Sequence, residues 1–168
     1  MPSDNHVKAA FSLIEDKTKL LGLTIGIHEN VQPGTWIPRN EAQELPRLSF
    51  AGANPTSTYL VVSLDIDAPF PAFGILSPIL HWIQSDMKVT SDATLESNAP
   101  FIANYIGPAP LLSARPIDTS FSYFDLTAYA PAGGKNLGNL SRMRYDFDAW
   151  AEEIKLGPPV AFNYFTCN

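Results

Sequence analysis

The chain ends its most apolar run, Tyr59-Leu-Val-Val-Ser-Leu64, on two acids, Asp65 and Asp67. The two-residue period of an extended backbone sends both carboxylates to one side and Ile66 to the other. Two acids at a buried strand end are costly unless a cation, a proton or several N–H donors satisfy them. His81, in the aromatic run Leu80-His81-Trp82-Ile83, is the best partner, because a proline-rich loop joins the two runs and can fold the second back over the first. A carboxylate beside an imidazole favours its cationic, donating form. Such a couple supports general acid/base chemistry, with His81 moving the proton and Asp65 or Asp67 orienting it. The same acids could equally cap the loop by accepting backbone N–H bonds, and spacing alone leaves both readings open.

The segment Asn104-Tyr-Ile-Gly-Pro-Ala-Pro110 could turn the N–H groups of Gly107 and Ala109 toward an anion, or be a plain proline turn. His6 and His28 have no ligand spacing, so we expect neither a metal nor a cofactor. Gly133-Gly134-Lys135 lacks the spacing of a phosphate-cradling loop, and no nucleophile elbow or dinucleotide fingerprint occurs. Arg142 and Arg144 read as a solvated surface pair. Cys167, the one cysteine, cannot form an intrachain disulfide.

These side chains need a scaffold. The 168 residues are 45% hydrophobic and 17% charged, which fits one folded domain over residues 1–168. Fifteen prolines and ten glycines without a period argue against a helical bundle. The net charge of -6 disfavours nucleic acid and anionic lipid surfaces. No run is long and apolar enough for a membrane span, and no secretory signal is evident, so a cytoplasmic location is expected. Apolar spacing predicts helices over Val7–Leu21, capped by Ser3 or Asp4 and ended by Gly22, and over 147–154, capped by Asp146 and stopped by Gly157-Pro158-Pro159. Strands are predicted near 23–27, 59–64, 80–83, 101–106, 121–129 and 160–165, giving a β-rich α+β domain with peripheral helices.

Asp65-Ile66-Asp67-Ala68-Pro69, Leu80-His81-Trp82-Ile83, Tyr105-Ile-Gly-Pro-Ala-Pro110 and Leu156-Gly-Pro-Pro-Val-Ala161 with Tyr164-Phe165 together resemble the phosphatidylethanolamine-binding protein family, in its order and at roughly its spacing. The resemblance implies a central antiparallel sheet, a second small sheet, peripheral helices, and a pocket at one end of the sheet for phosphate-like or carboxylate-like groups. Carried over by position, its wall comprises Asp65, Asp67, Pro69, His81, Gly107, Ala109 and Pro110, with Tyr123 or Phe124 depending on a one-residue choice of register. The chain also departs from the family: Ile66 replaces the proline between the acids, Phe70-Pro71 a serine-arginine pair, Phe121-Ser-Tyr-Phe124 a histidine-arginine-tyrosine run, and Ala109 a glycine. Losing an imidazole and a guanidinium weakens phosphate binding and favours a larger, more apolar ligand.

The resemblance thus implies a small-molecule-binding protein for a metabolite with a polar or anionic head and an apolar body. The alternative it suggests is an enzyme or accessory protein of natural-product, polyketide-type biosynthesis, in which Asp65, Asp67 and His81 drive cyclisation or isomerisation. A third is a protease or kinase regulator, for which no residue identifies a protein partner.

Overall fold

A computed structural model of the chain describes residues 4–66, 78–109, 117–125 and 137–167. Their strands are β1 (Gly22–Thr24), β2 (Thr35–Trp36), β3 (Arg47–Ser49), β4 (Tyr59–Asp65), β5 (Ile79–Val89), β6 (Thr94–Glu96), β7 (Ile117–Asp125) and β8 (Pro159–Cys167). The larger sheet runs β5-β4-β7-β8-β2 and is antiparallel except at its edge, where β2 lies parallel to β8. A smaller antiparallel sheet, β1-β3-β6, attaches to the far end of β5.

All seven residues of β4 are buried, as a largely apolar run without polar alternation requires of a strand covered on both faces. Tyr59 and Val61 join one apolar cluster with Ile37, Leu48 and Phe165. Leu60, Val62 and Leu64 join the other, beneath helix α2 (Phe147–Glu153). Fully burying each such side chain contributes about 1.5–3 kcal/mol, so β4 anchors both layers of the core.

Alternation along β5 is broken, and the break is what creates the site. Ser63 pairs with Trp82, but Leu64 pairs with Leu80, so a bulge inserts one extra residue. Leu80 and Ile83 pack into the helix-side cluster while Trp82 packs into the other. The inserted residue, His81, therefore faces the same side as Trp82, where Ser63 and Asp65 also lie.

Two predicted elements differ. The first helix, α1, spans only Asp4–Phe11, and residues 17–19 form a separate 3-10 turn capped by Asp16, whose side chain accepts from the Thr18 N–H at 2.9 Å. Gly22 opens β1 instead of ending the helix. A Cβ there would lie 2.1 Å from Ser49 Oγ, so the residue answers a close strand approach. The segment at 101–106 is extended but makes a single bridge, Ala103 with Ile83, and is no ladder strand. The predicted C-terminal helix holds: Asp146 caps α2 by accepting from the Ala149 N–H at 3.0 Å. The strand predicted over 121–129 is β7, whose described residues end at Asp125. The short strands β2, β3 and β6 have no periodic signal of their own.

Candidate functional site

Asp65 closes β4 at 2% exposure, and Nε2 of His81 lies 3.7 Å from its Oδ2. The imidazole is held from its other side, where Nδ1 donates to the carbonyl of Ile106 at 2.6 Å. A carbonyl can only accept, so Nδ1 carries a proton and Nε2 is left to face the carboxylate. Nε2 is buried and has no hydrogen-bond partner. Nε2 is thereby the ring nitrogen turned toward the Asp65 carboxylate, across a gap of 3.7 Å that is too long for a direct hydrogen bond. The arrangement leaves Nε2 as the ring nitrogen that a ligand or substrate group could engage.

The Ile106 carbonyl is itself fixed. Its N–H donates to the His81 carbonyl at 3.0 Å, and the segment is pressed against residues 39–43. Tyr105 donates its hydroxyl to the Ala42 carbonyl at 2.8 Å, and Gln43 Nε2 donates to the Pro108 carbonyl at 2.9 Å. Gly107 is buried in this contact, and a Cβ on it would meet Ala42 O and Gln43 Oε1 at 2.7 Å each. Ala109 is exposed.

Sequence reasoning missed two members of the site. Cys167, at the end of β8, is buried with Trp82 in the same cluster. Burial, and then the nearby Asp65 carboxylate, push its thiol up to about 11, with Arg39 opposing. Burial pushes the Tyr105 hydroxyl up as well, and Cys167 adds to it. Arg142 is not a solvated surface residue but 3% exposed, and its guanidinium donates to the carbonyls of His81 and Asn104. Burial pushes its pKa down. Arg144, by contrast, is exposed. No periodicity could have separated these two arginines: the discriminating signal is that Met143 bridges to Ile79, which lays Arg142 beside β5.

Of the other residues expected in the wall, Asp67, Pro69 and Pro110 lie outside the described residues. On β7 the position paired with Asp65 is Thr119; Tyr123 and Phe124 pair with Val61 and Leu60, about 13 and 17 Å further along the strand. A separate groove of about 460 Å³, walled by Leu45, Gln84, Met87, Leu95 and Phe101, reaches Trp82 but does not include Asp65 or His81.

A curled antiparallel sheet, a small second sheet and a buried Asp–His couple beside a glycine-proline turn define the class: the chain belongs to the phosphatidylethanolamine-binding protein family, whose sequence profile matches residues 27–165. Among its relatives, the chain is 28% identical over 149 residues to Protein FLOWERING LOCUS T of Arabidopsis thaliana, covering 88% of this chain and 78% of that protein. It is 29% identical over 164 residues to Phomoidride biosynthesis cluster protein N of Talaromyces stipitatus, covering 86% and 82%. In fold it resembles carboxypeptidase Y inhibitor, solved with its cognate proteinase, at TM-score 0.69 and 18% identity over 98% of this chain and 95% of that one. The phosphatidylethanolamine-binding protein from Plasmodium vivax follows at TM-score 0.65 and 15% identity over 90% and 87%. Among the described residues, no helix is long and apolar enough to cross a membrane.

Proposed function

We propose that the Asp65–His81 end of the larger sheet binds a small metabolite with a polar or anionic head and an apolar body. The observation that carries this reading is His81 Nε2, a buried nitrogen without a partner, 3.7 Å from a buried carboxylate. Unsatisfied buried polar atoms are rare in folded proteins, and a ligand head group is one of the things that satisfies them. Asp67, Pro69, Gly107, Ala109, Pro110 and Tyr123 or Phe124 complete the candidate lining, in one cytoplasmic domain spanning 1–168. The reading is tested by thermal shift and native mass spectrometry with inorganic phosphate, phosphoethanolamine and octanoate. Octanoate is expected to raise the melting temperature more than phosphate, and a ligand at 100 times its Kd stabilises by about 2.7 kcal/mol. His81→Ala and Asp65→Asn should abolish the effect, while Leu45→Asp, in the separate groove, should not. No stabilisation by any of the three probes would overturn the reading.

A second reading is favoured by the relative from the phomoidride biosynthesis cluster: the same couple catalyses, or assists, a cyclisation or isomerisation in natural-product biosynthesis. With Nδ1 tied to Ile106, only Nε2 of the ring is left to exchange a proton with substrate, and Asp65 holds the charge that results. Loss of turnover of a pathway intermediate in folded His81→Ala and Asp65→Asn would support it; wild-type turnover in both would sink it.

A further inference from the structure

We propose that Arg142 is the positioning residue of this site, holding the Asn104–Ile106 segment so that the Ile106 carbonyl selects the His81 tautomer with its proton on Nδ1. The inference rests on the reading of Asp65 and His81 given above. A guanidinium at 3% exposure is expensive unless its fork of donors is filled. Here the fork is filled by oxygens from three segments of the chain. Nη1 donates to the carbonyl of Asn104 at 2.8 Å and to that of His81 at 3.3 Å. Nη2 donates to Asn104 Oδ1 at 2.6 Å, and Nε to the Leu137 carbonyl at 3.4 Å.

The placement explains why an arginine is needed. The Asn104–Ile106 segment has no ladder of its own; beside β5 it is held by the Ala103–Ile83 bridge and the Ile106 N–H on the His81 carbonyl. A planar fork reaching the backbone of His81 and both oxygens of Asn104 fixes the distance between those two segments, which a single ammonium cannot do. The Ile106 carbonyl lies two residues beyond Asn104. If the segment drifts, the 2.6 Å bond to Nδ1 lengthens first. The proton is then free to move to Nε2, and the atom presented toward Asp65 changes from acceptor to donor.

The test reads the ring itself, without any ligand. The ¹⁵N shifts of the two His81 ring nitrogens, assigned by their loss in His81→Gln, give the tautomer ratio in the folded protein. Wild type should be predominantly the Nδ1–H form. Arg142→Gln should move the ratio toward Nε2–H by about 2- to 12-fold, the worth of one hydrogen bond. Arg142→Lys, with charge but no fork, should recover part of it. Should Arg142→Gln fail to fold, Asn104→Ala decides: Asn104 is exposed, and removing its Oδ1 should shift the ratio the same way by a smaller factor. Ring shifts that superimpose on wild type in the folded Arg142→Gln, or in Asn104→Ala, would overturn the proposal. Failure of every ligand probe would overturn the binding function and leave this result intact.

Discussion

His81 and Ile106 are joined twice, by the ring Nδ1–H to the Ile106 carbonyl at 2.6 Å and by the Ile106 N–H to the His81 carbonyl at 3.0 Å. The pairing makes the orientation of the imidazole a property of the 104–108 segment, and that segment closes on Ala42 and Gln43 through Gly107.

Gly107→Ala is therefore expected to act at a distance. Its new Cβ would have to displace the Ala42 carbonyl or the Gln43 amide, and overpacking of this kind costs about 1–3 kcal/mol. Urea denaturation should register that loss. A wild-type unfolding midpoint would mean that the contact relaxes freely.

Asp65 and His81 should be energetically coupled. Removing one member of a buried polar couple leaves the other unsatisfied at a cost of about 1–3 kcal/mol, whereas replacing both by apolar residues of similar shape can be nearly neutral. In a double-mutant cycle, Asp65→Leu with His81→Phe should be clearly less destabilising than the sum of the two single changes. Strict additivity would mean that the 3.7 Å approach carries no interaction.

The Cys167 thiol is held up to about 11 by burial and by Asp65. A group whose pKa is raised on folding contributes stability below its unfolded value and loses it as pH rises toward the folded one. Stability should accordingly decline from about pH 8.5, the ordinary thiol value, toward pH 11, and Cys167→Ala should flatten the decline. Iodoacetamide at pH 8 should label the native protein far more slowly than the urea-unfolded chain. Equal labelling rates would contradict both burial and charge.

Asp148 ties the two helices together, accepting the N–H groups of Asn5 and His6 at 3.0 Å each and the His6 ring. Partial burial works against its charge, but these bonds outweigh it and hold its carboxyl below the ordinary range. A depressed folded pKa means that the stabilisation is present above about pH 4 and is lost as pH falls through the folded value. Asp148→Ala should cost about 1 kcal/mol at pH 7, typical of a lost helix N-cap, and the difference from wild type should vanish in acid. A difference that persisted at pH 2 would point to packing instead.

Much of this architecture was legible because local signals agreed with it. The largely apolar run of β4, without polar alternation, announced a strand covered on both faces, and Asp146 with the Gly157-Pro158 stop bracketed α2. The pairing of Asp65 with His81 could be guessed from motif order. Its mechanism could not: the bulge that turns His81 onto the Trp82 face depends on cross-strand register, which one strand's sequence does not encode. Arg142 and Cys167 were invisible for a related reason. A charged residue among polar neighbours, and a thiol beside the C-terminus, read as peripheral until long-range pairing places them against His81 and Asp65. The overlong first helix came from apolar spacing that continues past Phe11, where residues 20 and 21 are instead drawn to β8 through the Leu21 N–H on the Phe162 carbonyl.

Strand β5 lends its backbone to two sheets in succession, changing partners beyond Asp86, a non-glycine residue at φ 55°. Such a shared strand cannot slip against one neighbour without also misaligning the other. The apposition of acid and imidazole is thus guarded remotely, by the Val89–Leu95 and Leu48–Leu95 pairings of the smaller sheet. Mutational drift in that outlying hairpin would be felt as a loss of alignment at the opposite end of the same strand.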